Sequence, residues 1–244
     1  MARKPRSAQV KVRRDTLFDN FSEFKPFTTN QQNASDGFKS GKNLCLTGYA
    51  GTGKTYIALH HAINDYISGK IDHISIYRSA VQTVDIGFLP GTEAEKMGPF
   101  ETPYIQIVNK ILGRADAYQI LKTKGIISFD STSFLRGITL DRCCVVVDEA
   151  QNLDRHEVGT IMTRLGKDTR VILCGDIRQS DVDFQDSGLG FLRAVLRRMG
   201  ETYFSMVDMQ KEDIVRSGLV KAWIIAAEEY EREQKARNKM DPRY

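Results

Sequence analysis

The sequence predicts an α/β domain built on a doubly wound parallel sheet flanked by helices. Three observations carry that prediction. Short uncharged runs rich in β-branched residues, such as Cys143-Cys144-Val145-Val146-Val147, have the composition of strands buried on both faces. These runs alternate along the whole chain with longer stretches of helical apolar spacing. Polar groups stand directly at the C-terminal ends of the runs, as at Asp148-Glu149 and Gly175-Asp176. That is where α/β sheets gather their ligands.

At 244 residues the chain can bury one full core, and a single domain is the simplest count. Residues 1–25 read as a basic leader with little structure, 26–227 as the domain, and 228–244 as a charged helix or tail. In the leader, Arg3, Lys4, Arg6, Lys11, Arg13 and Arg14 stand with no acid among them. Such a run suits nucleic acid, and it equally suits a solvated tail. Residues 26–40, with Asn30-Gln31-Gln32, lead into a short helix before Gly41. Asn43 to Thr47 is the first strand. Tyr56 to Ile67 is a helix, with Ile57, Ala58, Ala62 and Ile67 close to helical spacing. Ile71 to Tyr77 is the next strand, ending at Arg78.

Residues 79–103 hold Gly87, Pro90, Gly91, Gly98, Pro99 and Pro103, too many breakers for a regular element. The segment reads as a long insertion, and such insertions are often functional. Helices are expected over Tyr104 to Leu112 and Ala115 to Leu121, then a strand over Ile126 to Phe129. Arg136 and Gly137 precede the Cys143 strand. Asp154 to Leu165 is a helix capped by Asn152 or Asp154. Arg170 to Cys174 is a strand, Leu189 to Met199 a helix and Phe204 to Val207 the last strand. From Ile214 onward the chain reads as helix.

Composition bounds the class. Hydrophobic content of 41% and charged content of 27% are ordinary for a soluble globular chain. No apolar run approaches the roughly 20 residues that cross a bilayer, so no membrane partner is expected. The N-terminus lacks a secretory apolar segment. Cys45, Cys143, Cys144 and Cys174 all fall in predicted strands without metal-site spacing. They read as buried thiols in a reducing compartment, the cytoplasm.

Between the first strand and its helix stands Gly48-Tyr49-Ala50-Gly51-Thr52-Gly53-Lys54-Thr55, which fits the phosphate-loop pattern G-x-x-x-x-G-K-[ST]. Glycines let successive N–H groups turn inward onto phosphate oxygens. Lys54 is expected on the β- and γ-phosphates and Thr55 on Mg²⁺. The strand, loop and helix order is the setting this motif requires. Asp148 is the second expected Mg²⁺ partner, and Glu149 the group that polarises an attacking water. Gln179, after Gly175-Asp176, is a neutral amide placed to sense a γ-phosphate. Arg216, in Glu212-Asp213-Ile214-Val215-Arg216, is a candidate to neutralise charge on the transferred phosphoryl group; a surface arginine at a helix start is the competing reading.

Taken together, these segments resemble the PhoH-like family. The resemblance rests on the phosphate loop with Tyr56, on Tyr77-Arg78-Ser79-Ala80-Val81, and on Gly87-Phe88-Leu89-Pro90-Gly91. It rests also on Arg136-Gly137-Ile138-Thr139-Leu140, Val147-Asp148-Glu149-Ala150-Gln151-Asn152, Thr163-Arg164-Leu165-Gly166, and Gly175-Asp176 with Gln179. It runs from about Asn30 to about Trp223. The family is similar to a compact superfamily 1 helicase motor, which implies a single RecA-like P-loop domain that binds and hydrolyses ATP with Mg²⁺. It also implies that Gln31 reads the adenine edge, with residues Gly48 to Tyr56 forming the nucleotide site. One departure stands out: Tyr77-Arg78-Ser79 replaces the family's Thr-Arg-Pro, so the proline-set turn is absent.

The function this implies is an ATPase coupled to single-stranded RNA or DNA. One motor domain needs a neighbour, so the resemblance implies a homo-oligomer, in the form of a hexameric ring with Arg216 acting in trans. In that reading the 79–103 insertion, with Phe88 and Phe100 beside Lys96, contacts nucleic acid. Two other classes compete: a regulatory ATP-binding switch acting through a protein partner, and a small-molecule kinase. The hydrolase-like Asp148-Glu149-Ala150-Gln151 strand end argues against the kinase.

Overall fold

A computed structural model describes residues 16–79, 93–135, 137–176 and 187–240. Among these, the strands are β1 (Asn43–Gly48), β2 (His73–Arg78), β3 (Ile127–Ser131), β4 (Cys143–Asp148), β5 (Arg170–Gly175) and β6 (Phe204–Met209). They form one sheet in the order β3-β2-β4-β5-β1-β6. Every pairing is parallel. The helices are α1 (Thr29–Lys39), α2 (Lys54–Ile67), α3 (Glu93–Leu112), α4 (Ala117–Thr123), α5 (Arg155–Arg164), α6 (Gly188–Met199) and α7 (Gly218–Met240).

The sheet is buried on both faces, and the strand alternation sorts the side chains between two cores. On one face Leu44, Leu46, Ile74, Ile76, Cys144, Val146 and Ile172 pack with Ala34, Phe38, Ile57, Ile63, Val108 and Leu121. On the other, Cys45, Tyr77, Cys143, Val145, Val147 and Val171 pack with Val158, Ile161, Leu189 and Leu192. This is the doubly wound arrangement expected from uncharged β-branched runs. All four cysteines are buried free thiols. Because β4, β5 and β1 are neighbours at the centre, the turns that follow them open side by side at one edge.

Local chemistry sets several helix starts. Asp154 caps α5 through a reciprocal pair: its carboxylate accepts the Glu157 N–H at 2.7 Å, and Glu157 accepts the Asp154 N–H at 2.9 Å. Ser187 caps α6 by accepting the Gly190 N–H at 3.0 Å.

Three expectations are corrected. The leader is not structureless through residue 25: Leu17 and Phe24 are buried in the first core, with Phe18 and Phe21 packed against it. Their apolar area, laid against the His60 side of α2, outweighs the polar character of the segment. Residues 1–15 lie outside the described residues.

The second correction concerns the insertion. Helix α3 begins at Glu93 and runs through Pro99 and Pro103. Tyr104, Val108 and Leu112, spaced four apart, are fully buried. That anchored face outweighs the hydrogen bonds the prolines forfeit. Gly87, Phe88, Pro90 and Gly91 lie outside the described residues, as does the Lys96 side chain.

The third correction concerns Ile214. Helix α7 starts only at Gly218, after a short 3-10 turn over Lys211–Asp213 and an extended link. Ile214 is buried in that link, and Val215 donates its N–H to the Gly51 carbonyl at 3.0 Å rather than to a helical partner. The charged C-terminal segment is then one continuous helix with the residues before it, up to Met240. Among the described residues, no helix is long and apolar enough to cross a membrane.

Candidate active site

Strand β1 ends at Gly48 with φ of 119°, and a Cβ there would lie 2.0 Å from the Met209 carbonyl oxygen of β6. Only glycine admits that approach. The loop then curls through Gly51 (φ 75°) and Gly53 (φ 88°) into α2. Thr52 Oγ1 braces it by donating to the Tyr49 carbonyl at 2.8 Å. Gly53 supplies no side-chain cap, so the first N–H groups of α2 stay open to an anion. Lys54 Nζ donates to the Gly48 and Tyr49 carbonyls at 2.7 and 2.8 Å. Burial lowers the Lys54 pKa, opposed chiefly by the Asp176 carboxylate.

At the end of β4, both Asp148 oxygens lie 3.1 Å from Thr55 Oγ1. Burial, then the Glu149 charge, push the Asp148 pKa up. The phenol of buried Tyr104, beside Asp148, is held far above its usual range by burial and the Asp148 charge. A hydroxyl and a carboxylate are hard oxygen donors that suit Mg²⁺. No cluster of three or more His, Cys, Asp or Glu that could hold a metal occurs among the described residues. The pair therefore fits an ion whose remaining ligands are phosphate oxygens and water, as Mg²⁺ prefers.

Glu149 sits in the left-handed region with φ of 52°. A non-glycine residue there costs energy and marks a position held by its surroundings. Arg78 Nη2 stands 3.9 Å from Glu149 Oε1. Its guanidinium also lies 5.0 Å from the Phe100 ring centroid. Gln151 Nε2 donates to Glu149 Oε2 at 2.5 Å, and Gln151 Oε1 accepts the Asp176 N–H at 2.8 Å. The ends of β4 and β5 are thereby joined through one amide.

A cavity of about 1020 Å³ collects these groups. Ala50, Gly51, Gly53, Lys54, Thr55 and Tyr56 line it with Asp148, Glu149 and Asp176. Arg216 lines it from the same chain, and a Cβ at Gly51 would stand 2.9 Å from Arg216 Cγ. Arg216, exposed just before the start of α7, thus lies against the phosphate loop. Gln31 also borders the cavity, and each end of its amide makes one hydrogen bond to backbone. Oε1 accepts the Phe27 N–H at 2.8 Å, and Nε2 donates to the Thr52 carbonyl at 3.0 Å. Gln179 and Arg136 lie outside the described residues.

Comparison with known proteins decides the family. The sequence profile described as PhoH-like protein matches residues 23–228. The chain belongs to the PhoH-like family. Among curated relatives, a PhoH-like protein of Mycobacterium leprae is 32% identical over 219 residues, covering 89% of this chain and 62% of the relative. One of Bacillus subtilis is 37% identical over 175 residues, covering 71% and 54%. Protein PhoH of Escherichia coli is 34% identical over 183 residues, covering 74% and 51%. The chain thus spans about half to two thirds of the length of these relatives. Among solved structures, the Pif1 helicase of Candida albicans aligns at a TM-score of 0.37 and 16% identity, covering 77% of this chain and 40% of that one. A Sulfolobus solfataricus SWI2/SNF2 ATPase core in complex with dsDNA aligns at 0.42 and 14%, covering 79% and 46%.

Within this PhoH-like P-loop fold, the turn after Arg78 is held by a side chain. Ser79 is buried, and its hydroxyl donates to the Asn152 carbonyl at 3.0 Å. The turn is thereby pinned to the segment after Glu149. One residue near the site carries a part that the sequence reading left unassigned. Gln151 was visible as an amide two places beyond Glu149, yet only the turn after β4 shows that it reaches back.

Proposed function

We propose that this PhoH-like protein binds ATP and hydrolyses it to ADP and phosphate, coupling turnover to single-stranded RNA or DNA. The observation that carries the reading is the convergence of the β1, β4 and β5 ends on one cavity. That convergence brings Lys54, Thr55, Asp148, Glu149 and Asp176 together around a loop with open helix N–H groups. Lys54 exchanges its loop carbonyls for the β- and γ-phosphates. Thr55 and Asp148 would hold Mg²⁺, which would offset the charge of the phosphate oxygens. Glu149, fixed by Gln151 and Arg78, accepts a hydrogen bond from the water that attacks the γ-phosphorus. The bond from that phosphorus to the bridging oxygen breaks, ADP leaves with the electron pair, and Glu149 takes the proton that the attacking water releases. Arg216 lines the cavity of its own chain, so its proposed role, offsetting charge on the transferred group, is in cis and replaces the in-trans role the resemblance implies. Gln179 is proposed as the γ-phosphate sensor.

The coupling to nucleic acid is supported by the acid-free basic run from Arg3 to Arg14. A homo-oligomer, in the ring the family resemblance implies, is supported by Leu219 and Trp223 on α7, which are 82% and 74% exposed. The same face favours a second reading, a nucleotide switch that acts through a protein partner.

Steady-state ATP hydrolysis with and without single-stranded RNA, at two salt concentrations, tests the proposal. Strong, salt-sensitive stimulation supports the nucleic-acid reading, and indifference to RNA moves the coupling to a protein partner. Glu149→Gln is expected to keep ATP and stop turnover. Wild-type turnover in that variant refutes the hydrolytic assignment.

A further inference from the structure

Two adjacent amides in the first turn of α1 reach in different directions. Gln31 takes the Phe27 N–H and donates to the Thr52 carbonyl, clamping the entry segment to the phosphate loop. Asn30 Nδ2 instead donates to the Asp213 carboxylate at 2.7 Å, across 183 positions of sequence. Asp213 is only 3% exposed, and the same oxygen accepts the Gln210 N–H at 2.7 Å. Burial pushes the Asp213 pKa up, but hydrogen bonds from Thr28, Asn30 and the Gln210 N–H outweigh it and hold the carboxyl below its ordinary range. Capping of its own 3-10 turn accounts for the Gln210 bond. It does not account for Asn30, which belongs to another element.

What this carboxylate fixes is the path of the chain between β6 and α7, and that path is laid along the phosphate loop. At its start the Met209 carbonyl accepts the Tyr49 N–H at 3.3 Å, and at its end Val215 donates to the Gly51 carbonyl at 3.0 Å. Arg216 comes next, with its stem against the bare backbone of Gly51. The Arg216 side chain is long and exposed. Its reach into the cavity is therefore set by how firmly the backbone before it is held, since a loose backbone spreads the guanidinium over many positions.

Resting on the cis role of Arg216 proposed above, we propose that Asn30 and Asp213 form a latch that holds residues 210–216 on the phosphate loop and so positions Arg216 over the cavity. Neither residue lines the cavity, so both are positioning residues and not catalytic ones. The latch lies within one chain, and it readies the arginine without a contribution from a neighbour.

The test is amide hydrogen exchange and steady-state ATP hydrolysis on the full chain. Asn30→Ala should speed exchange of the Val215 amide by at least about tenfold and leave the amides of β4 and β5 unchanged. The same variant should lower kcat by about fivefold while the KM for ATP stays within about threefold, because Lys54 and Thr55 are untouched. Combined with Arg216→Ala, it should be no slower than Arg216→Ala alone, since both changes remove one device. Asp213→Asn keeps an oxygen that can accept both N–H groups and should retain at least about half of the wild-type kcat, which Asp213→Ala loses. Losses that multiply in the double variant overturn the proposal, because the pair would then support the fold in general and not Arg216. So does wild-type exchange at Val215 in Asn30→Ala, or a raised KM with kcat unchanged. Asn30 is half-buried, so its variant decides the matter even if Asp213→Ala does not fold. Exchange requires no turnover: an inactive wild type refutes the ATPase reading, and the Val215 amide then decides the latch alone.

Discussion

Gln151 donates to the Glu149 carboxylate at 2.5 Å, and through its other end takes the Asp176 N–H at 2.8 Å. Glu149 pays for a left-handed backbone, and this amide is what holds its side chain in place. Gln151→Ala is expected to lower kcat by about 10- to 100-fold through loss of orientation. The KM for ATP should stay within about threefold, since Lys54 and Thr55 are untouched. Steady-state kinetics on the variant check this, and a wild-type kcat would remove Gln151 from the machinery.

Asp148 titrates abnormally because burial and the Glu149 charge raise its pKa above the ordinary 3.8. The folded state therefore binds that proton more tightly than the unfolded chain. Stability falls as pH rises from the unfolded value to the raised folded value, and the loss persists above it. Asp148→Asn removes this cost. Without nucleotide, the variant should melt higher than wild type near neutral pH, and the gap should close as pH drops below the unfolded pKa. Turnover should be lost at every pH, a trade of activity for stability. Melting curves from about pH 4 to about pH 8 test the sign; a variant that melts lower at neutral pH contradicts it.

Gly48 and Gly41 both adopt positive φ, at 119° and 94°, but only Gly48 has a neighbour where a Cβ would go. Gly41→Ala should cost about 1 kcal/mol of backbone strain. Gly48→Ala must also displace the Met209 carbonyl, and should cost about 3 kcal/mol or more. Urea denaturation of the two variants gives the comparison. Equal costs would mean that the β1–β6 junction yields easily.

Arg216 and Lys54 border the same cavity of one chain. Arg216→Ala should lower turnover by at least about tenfold and leave ATP affinity mostly intact. Mixing it with Lys54→Ala protein should restore nothing, because each site then lacks one of its own residues. Recovery of activity in the mixture would place Arg216 in a neighbour's site instead.

The sequence by itself determined the parallel sheet, the phosphate loop and the placement of Asp148 and Glu149 at a strand end. Each depends on short-range chemistry: uncharged β-branched runs, glycine spacing, and charged residues directly after a buried run. Only the tertiary structure decided the rest. The prolines of α3 predict a break, but Tyr104, Val108 and Leu112 bury a face that keeps the helix whole. The helical reading of Ile214 fails because Val215 finds its acceptor at Gly51, far away along the chain. Leu17 and Phe24 sit in a segment whose charge predicts a solvated tail, and they are buried because α2 offers them a surface. Gln31 and Gln151 look like two ordinary amides in the sequence. One becomes a clamp and the other a brace because a side chain's partners are set by what folding brings within about 3 Å of it.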